Sequence, residues 1–212
     1  MSTSLEPAPG RGTWSLPLFP LRTVLFPGGV LPLKVFELRY VEMTKSCLRD
    51  ARPFGVCLIT RGAVVAREDA PPPDLARVGT LARITDVDMP QMGILHVSTQ
   101  GGTRFEIRRH GVDASGVVVA QVTTIADEPS HALPATYSPL SRLLALIATR
   151  IGARNFPADV RYDDASWVGH RLAELLPLPL ALKQSMLEVN DADLRLAALK
   201  QYLEREGLLQ AV

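Results

Sequence analysis

The stretch that decides the fold covers residues 16–40 and reads LPLFPLRTVLFPGGVLPLKVFELRY. It is apolar, yet four prolines interrupt it: Pro17, Pro20, Pro27 and Pro32. Because proline fixes φ and has no backbone N–H to donate, this stretch is neither one helix nor an ordinary central strand. It predicts short extended pieces joined by sharp turns, the clearest at residues 27–29, and then a helix that begins near Phe36.

The predicted helix carries one apolar stripe, which we expect to be buried. Its members follow one another at steps of four, three and four residues: Phe36, Tyr40, Met43 and Cys47. Three further apolar residues widen the stripe: Leu38, Val41 and Leu48. The helix should end near Arg52, because a proline follows at position 53.

A series of short strands follows this helix. Residues 54–60 form an apolar, β-branched run typical of a buried strand. Four more strands are predicted at residues 78–87, 93–99, 103–110 and 116–125. Turns are expected at residues 89–93 and at Gly101-Gly102. Short strands separated by glycine-containing turns indicate a compact antiparallel sheet or barrel.

The last third of the chain is predicted to be a helical bundle. Residues 126–139 lack periodicity and mark the boundary between two modules. Four amphipathic helices follow, one capped by Asp163 or Asp164 and the last capped by Asn190, with Asp193 in its first turn. The fold class is therefore α+β, with a disordered tail at 1–13, a β module at 14–126 and a bundle at 139–212.

The composition is that of a globular protein with no strong charge bias. The 212 residues are 47% hydrophobic and carry a formal net charge of +1, so no global charge draws the chain to nucleic acid or an anionic membrane. The two cysteines, Cys47 and Cys57, lie in apolar segments, where we expect buried free thiols. No signal peptide or membrane span is recognisable, so we expect a cytoplasmic location.

The opening segment resembles the start of the Lon protease N-terminal (substrate-binding) domain. The similar pieces are L-P-L-F-P-L-R, then L-F-P-G, then L-P-L-x-V-F-E-x-R-Y. Later segments are similar too: V-G-T-L-A-R-I at 78–84, G-T-R-F at 102–105 and D-L-R-L at 193–196. The resemblance implies a pseudo-barrel related to PUA domains followed by a helical bundle. It also implies a domain that recognises proteins and does no chemistry itself.

No catalytic site is recognisable, and we expect no enzyme activity, metal or cofactor. The sequence contains no G-x-x-x-x-G-K-[ST] phosphate-binding loop and no G-x-S-x-G nucleophile elbow. Its four histidines lie in different predicted elements, without the spacing of metal ligands. Together with the resemblance, this predicts a stand-alone, non-catalytic form of the Lon substrate-binding domain.

The candidate peptide-binding residues lie in the opening segment. They combine aromatic rings with one charged pair: Phe19, Phe26, Glu37, Arg39 and Tyr40. Loops held by proline keep an apolar groove open at little entropic cost, and the charged pair would orient a peptide at its rim. The competing interpretation is that the rings are ordinary core and that the charges only solvate the helix, with Arg39 as an exposed residue.

We therefore expect the protein to bind unfolded or partly folded polypeptide with exposed apolar segments. We also expect a second partner, a separate ATP-dependent protease, beside which the protein acts as an adaptor. The alternative is a PUA-like module that binds RNA or a nucleotide through the only basic cluster: Arg104, Arg108, Arg109 and His110. A salt-bridged barrel surface explains that cluster more simply, so nucleic acid is not the expected partner, and neither is a membrane. An enzyme with an unrecognised site ranks last.

Overall fold

The structure, a computed structural model, describes residues 12–62, 73–152 and 156–209. The chain divides into two compact units, the first ending at Ala126 and the second starting at Asp127. A tail was expected at residues 1–13, and residues 1–11 of it lie outside the described residues.

The first unit contains seven strands and one α-helix within its described residues. In chain order they are β1 Trp14–Leu21, β2 Val30–Val35, α1 Leu38–Arg49, β3 Phe54–Arg61, β4 Asp74–Leu75, β5 Val78–Gln91, β6 Ile94–Val112 and β7 Val118–Thr124.

Five of these strands close into a ring. β1 is followed across the sheet by β7, β6, β5 and β3, and β3 pairs back with β1. Each neighbouring pair in the ring is antiparallel except β1–β3, which is parallel. β2 pairs with β6 and β4 with β3, both outside the ring. Because the ring is closed, most strand edges are paired with a neighbouring strand. The closed ring confirms the expected antiparallel pseudo-barrel.

Side chains on β1 alternate between two apolar clusters, as they must on an extended strand. Leu16 and Leu18 pack with Phe105 in one cluster. Phe19 packs with Tyr40 of α1 in the other. Full burial of an apolar side chain of this size stabilises folding by about 1.5–3 kcal/mol. The proline-interrupted segment therefore anchors both clusters of the first unit.

α1 begins two residues later than the sequence pattern indicates. Glu37 is extended, with φ −72° and ψ 127°, and precedes the helix. Phe36 consequently lies outside the helix and is 62% exposed, so its predicted place on the buried stripe is wrong. Helical spacing predicts burial only where the backbone is helical. Two of the leucines expected to widen the stripe are also exposed: Leu38 and Leu48. The rest of the stripe is buried as predicted: Tyr40, Val41, Met43 and Cys47.

α1 also ends earlier than expected, at Arg49 rather than near Arg52. The N–H of Arg52 donates to Cys47 O at 2.9 Å and the N–H of Ala51 donates to Leu48 O at 3.2 Å. These two bonds, with a φ of 50° at Ala51, form a Schellman C-cap. Glycine is the usual residue at that left-handed position. Because residue 51 is alanine, nothing in the sequence indicated that the helix ends there.

The predicted hairpin at Gly101-Gly102 is wrong, because β6 runs unbroken through both residues. A Cβ at Gly101 would collide with the carbonyl oxygen of Phe26. The N–H of Gly101 also donates to Gly29 O, and the carbonyl oxygen of Gly101 accepts from Gly28 N. Gly101 is thus required by the close approach of a distant turn, which a local pattern does not reveal.

The hairpin between β5 and β6 turns at Met92-Gly93, where Gly93 has a φ of 81°. The sequence predicted a turn spanning residues 89–93. Its first three residues instead continue β5, whose outer part is exposed over residues 88–91. Pro90 is tolerated there because exposed ends of strands can lack a ladder bond.

The second unit is helical, as predicted. Its α-helices within the described residues are α2 Ser138–Ile151, α3 Ala165–Leu175, α4 Leu180–Glu188 and α5 Ala192–Arg205. Asp164 caps α3 by accepting a bond from Trp167 N at 2.7 Å. Asp191, not the expected Asn190, caps α5 by accepting from Leu194 N at 3.0 Å. The predicted core leucines of α5 are fully buried: Leu196, Leu199 and Leu203.

A buried ion pair lies inside the second unit. Arg195 Nη1 donates to Glu128 Oε1 at 2.6 Å, and its Nη2 donates to Glu128 Oε2 at 3.2 Å. The Arg195 side chain is fully buried and that of Glu128 is 3% exposed. Arg195 Nε also donates to Met186 O at 3.0 Å, which helps to satisfy the guanidinium. Such a pair is costly to break, because one partner would remain charged and buried.

Across the described parts of the chain, every helix is too short or too polar to cross a bilayer.

Candidate functional site

A pocket of about 410 Å³ lies in the first unit. Three segments far apart in sequence build it: the first half of β1, the stretch from the first turn of α1 to the residue before β3, and the β6–β7 turn. Its apolar lining comes from Trp14, Pro17, Met43, Cys47, Pro53 and Val117. Its polar lining comes from Ser15, Arg39, Glu42, Ser46, Arg52, Asp113 and Ser115. Mixed lining of this kind, at this volume, is typical of a site that buries part of a ligand.

Arg39 connects two of these segments. Its Nε and Nη2 donate to Glu37 Oε2 at 3.0 and 2.7 Å, and its Nη1 donates to Gly116 O at 2.9 Å. The Arg39 side chain is only 15% exposed. The expectation of a freely exposed Arg39 is therefore wrong, because its guanidinium is held between the helix start and the β6–β7 turn.

The β6–β7 turn is held by its own carboxylate. Asp113 Oδ1 accepts bonds from Ser115 N at 2.9 Å, Ser115 Oγ at 2.6 Å and Val117 N at 3.0 Å. Burial raises the pKa of Asp113, but the bonds from Ser115 and Val117 together outweigh it and lower that pKa below its ordinary value. An ionised Asp113 thus fixes the turn beside the pocket at neutral pH.

None of the three predicted aromatic residues is in the pocket lining. Phe19 stacks on Tyr40 with ring centroids 4.3 Å apart, and the Arg39 guanidinium lies 4.5 Å from the Tyr40 ring centroid. Both rings are buried, as is Phe26, which is 0% exposed. Burial raises the pKa of Tyr40, while the charge of Arg39 opposes that shift.

Of the five predicted residues, four form one chain of contacts: Phe19, Tyr40, Arg39 and Glu37. Only Arg39 is among the residues that line the pocket. Phe26 lies elsewhere, in the turn that approaches Gly101. Contact of these residues with a peptide stays a prediction.

The basic cluster does not form as the sequence suggested. Arg104 and Arg108 were expected on one surface, but Arg104 is 1% exposed. The pairing of β6 with β7 shifts register between residues 107 and 109, and such a shift changes which face a side chain takes. Arg108 is bonded to Glu106 at 2.8 Å and to Thr123 at 3.0 Å. With Arg104 buried and Arg108 paired, the cluster presents less free positive charge than the sequence suggested.

The two cysteines are poor candidates for a nucleophile. Cys47 and Cys57 are free and buried, as predicted. Burial raises the pKa of the Cys47 thiol to about 11 and that of Cys57 to about 12, which leaves both as poor nucleophiles at neutral pH. Among the described residues, no three His, Cys, Asp or Glu side chains group as metal ligands would.

Most pocket residues escaped the sequence reasoning because they come from separate segments. The D-A-S-G turn at residues 113–116 had a recognisable turn signal, since aspartate and glycine favour turns. Trp14, which stands just before the proline-rich segment, had no local signal of function. Only the closure of the barrel brings β1, α1 and this turn together.

The sequence model of the ATP-dependent protease La (LON) substrate-binding domain matches residues 15–205. The chain belongs to this family. Lon protease 2 of Myxococcus xanthus is 31% identical over 90% of this chain, and the Lon protease of Anaeromyxobacter dehalogenans is 30% identical over 90% of it. The chain spans 24% and 23% of the length of these two relatives.

Two solved structures share the fold of this chain. The Lon N-terminal domain protein from Xanthomonas campestris is 34% identical with a TM-score of 0.70, covering 89% of this chain and 98% of that one. The N-terminal domain of Mycobacterium avium complex Lon protease matches with a TM-score of 0.62 over 90% of this chain and 98% of that one. At 18% identity, the second shows the shared fold only. The Lon resemblance stated from the sequence is thus confirmed.

Proposed function

We propose that this member of the family of Lon substrate-binding domains recognises polypeptide without cleaving it, and that it binds exposed apolar segments. The observation that carries the proposal is the pocket of the first unit, whose apolar lining is bordered by a fixed arginine and a fixed turn. A rigid site binds a flexible chain at lower entropic cost than a loose one, because only the ligand must be ordered.

The predicted residues enter this proposal in two roles. Arg39 borders the site directly, and Glu37 holds its guanidinium. Phe19 and Tyr40 act indirectly, since their stacked rings support the arginine. For Phe26 the structure suggests no such path, so its role in binding rests on the sequence alone.

The direct test is binding of one polypeptide in two states. Reduced, carbamidomethylated α-lactalbumin cannot refold, whereas the native form hides its apolar segments. We expect fluorescence anisotropy to detect binding of the first and not of the second. Absence of binding to the unfolded form at a protein concentration of about 100 μM, where a free energy near −5.5 kcal/mol would be detected, contradicts the proposal.

A salt series separates polypeptide from nucleic acid. Binding through apolar surface should change by less than about twofold between 50 and 200 mM salt, because it releases few counterions. Binding of an RNA oligonucleotide through several phosphate contacts would weaken by about a thousandfold or more over that range. Tight, salt-sensitive RNA binding would favour the PUA-like alternative.

Arg39→Ala tests the location of the site. The variant should weaken binding of the unfolded probe, measured at a temperature where the variant stays folded. Arg49→Ala is the matched control, since Arg49 lies on the same helix, is largely exposed and is not in the pocket lining. Equal binding by both variants would place the site elsewhere.

The adaptor role and the cytoplasmic location are further parts of the proposal. An adaptor should raise the rate at which a purified ATP-dependent Lon protease degrades the carbamidomethylated probe. No change in that rate over a tenfold excess of this protein would remove the adaptor role while leaving polypeptide binding intact. The cytoplasm is where such a protease and its unfolded substrates meet, and cell fractionation would test that location.

A further inference from the structure

β1 reaches further than the strand beside it. Residues 14–18 pair with β7, and residues 18–21 pair with β3. The pairing with β3 starts at Leu18↔Gly55, and β3 itself begins at Phe54. The same register places Phe54 beside Pro17, so within the part of the chain that the structure describes, residues 14–16 have a strand on one side only.

Pro17 determines which way the polar groups of this open part point. Pro17 is paired with Val119 and Ser15 with Gln121 in the antiparallel ladder with β7. In such a ladder, residue pairs alternate between exchanging both backbone bonds and exchanging none. Pro17 has no N–H to exchange, so its pair is of the second kind, and Ser15, two residues away, belongs to the same kind. The N–H and C=O of Ser15 thus point away from β7.

The pocket lies where the missing strand would run. Ser15 and Pro17 line it together with Arg52 and Pro53, the two residues that precede β3. Neighbouring strands lie about 4.8 Å apart and rise about 3.3 Å per residue, so the gap suits an extended segment of about three residues. No backbone bond joins Ser15 to a described residue on this side.

The walls of the pocket offer apolar surface, and the two arginines in its lining are paired. Met43 and Val117 are buried apolar side chains in the lining. Two lining cations are already paired: Arg39 with Glu37 and Arg52 with Asp50. An anionic ligand side chain would therefore find no free cation in these two pairs.

We propose that the pocket receives an extended polypeptide segment that adds to the open edge of β1. One residue of the segment exchanges N–H and C=O bonds with Ser15, and an adjacent apolar side chain packs against Met43 and Val117. This inference rests on the proposed polypeptide recognition and specifies its mode. Because the anchoring groups are backbone atoms, binding tolerates many sequences but excludes proline at the anchored residue.

Ser15→Pro tests the edge in the full-length protein. Proline at position 15 removes the N–H that points into the pocket and removes no bond to β7, for the reason that already permits Pro17. Trp14 is extended in β1, which suits a residue before proline. Ser15→Ala is the matched control, because it keeps the backbone and changes only an exposed hydroxyl.

The probe is an acetylated and amidated heptapeptide of alternating leucine and glutamine. Ser15→Pro should bind it about tenfold more weakly than wild type, the loss expected for about one to two backbone hydrogen bonds. Ser15→Ala should bind within about twofold. Thermal unfolding of both variants checks that the fold is retained.

Methylating the peptide nitrogens one at a time tests the same edge without changing the protein. Loss of affinity should recur at every second residue, because alternate N–H groups of a strand point to opposite edges. Affinity that is unaffected by methylation or by Ser15→Pro would overturn strand addition, while binding of the unfolded probe would still support the proposed function. Failure of wild type to bind either the heptapeptide or the unfolded probe would overturn both. Dimerisation that the heptapeptide does not displace would identify a second copy as the occupant and overturn the proposal.

Discussion

Arg39→Ala should destabilise the first unit by about 2 kcal/mol. The bond from Arg39 Nη1 to Gly116 O, at 2.9 Å, is charge-assisted and part-buried, so its loss costs about 1.5 kcal/mol. The ion pair with Glu37 is partly screened by solvent, since the two side chains are 15% and 22% exposed, and it adds about 0.5 kcal/mol. The contact with the Tyr40 ring acts in the same direction.

The assay is urea unfolding at 25 °C, followed by the fluorescence of Trp14 in a background in which Trp167 is replaced by phenylalanine in every protein compared. This background reports on the first unit alone, because Trp167 belongs to the second. Arg49→Ala is the control and should change the free energy of unfolding by less than about 0.5 kcal/mol, since Arg49 is 73% exposed. If the two variants unfold at the same urea concentration, Arg39 does not connect α1 to the β6–β7 turn and the reasoning fails.

Three further predictions concern the rest of the chain. Glu128→Gln should destabilise the second unit by about 3 kcal/mol in urea unfolding, because Arg195 would keep a buried charge without an ionised partner; a loss below about 1 kcal/mol would contradict this. Gly101→Ala should cost about 2 kcal/mol through the clash with the neighbouring turn, whereas Gly102→Ala, whose Cβ would meet nothing closer than 3.6 Å, should be nearly neutral; equal effects would disprove the close approach. Iodoacetamide at pH 8 should leave both thiols unmodified in the native protein, with the pKa of Cys57 raised to about 12, and should modify both after unfolding; mass spectrometry showing rapid native alkylation would refute the burial argument.

The sequence predicted the elements whose signals are local. The prolines of the opening segment identified short strands, and the aspartates at positions 163 and 164 identified a helix start, because each acts on its own backbone. The roles of Gly101 and Arg104 were missed for the opposite reason. One is set by a turn more than seventy residues earlier in the chain, and the other by a register shift within β6.

The candidate site was predicted only in part. Arg39 was singled out and does line the pocket, but as a bonded residue rather than an exposed one. The backbone of Ser15 carried no signal, since an open strand edge exists only relative to the strand that stops short of it. A pocket built from three distant segments is a property of the closed barrel, which single-residue patterns do not encode.

The central claim is that polypeptide binds in the pocket of the first unit. The most direct measurement is backbone amide hydrogen exchange of the full chain with and without saturating carbamidomethylated α-lactalbumin. The account predicts slower exchange on ligand binding at Ser15 and in the β6–β7 turn at residues 113–117, with little change at the exposed β5–β6 hairpin tip around Met92. Slower exchange confined to other segments, with the amide of Ser15 unaffected, would contradict it.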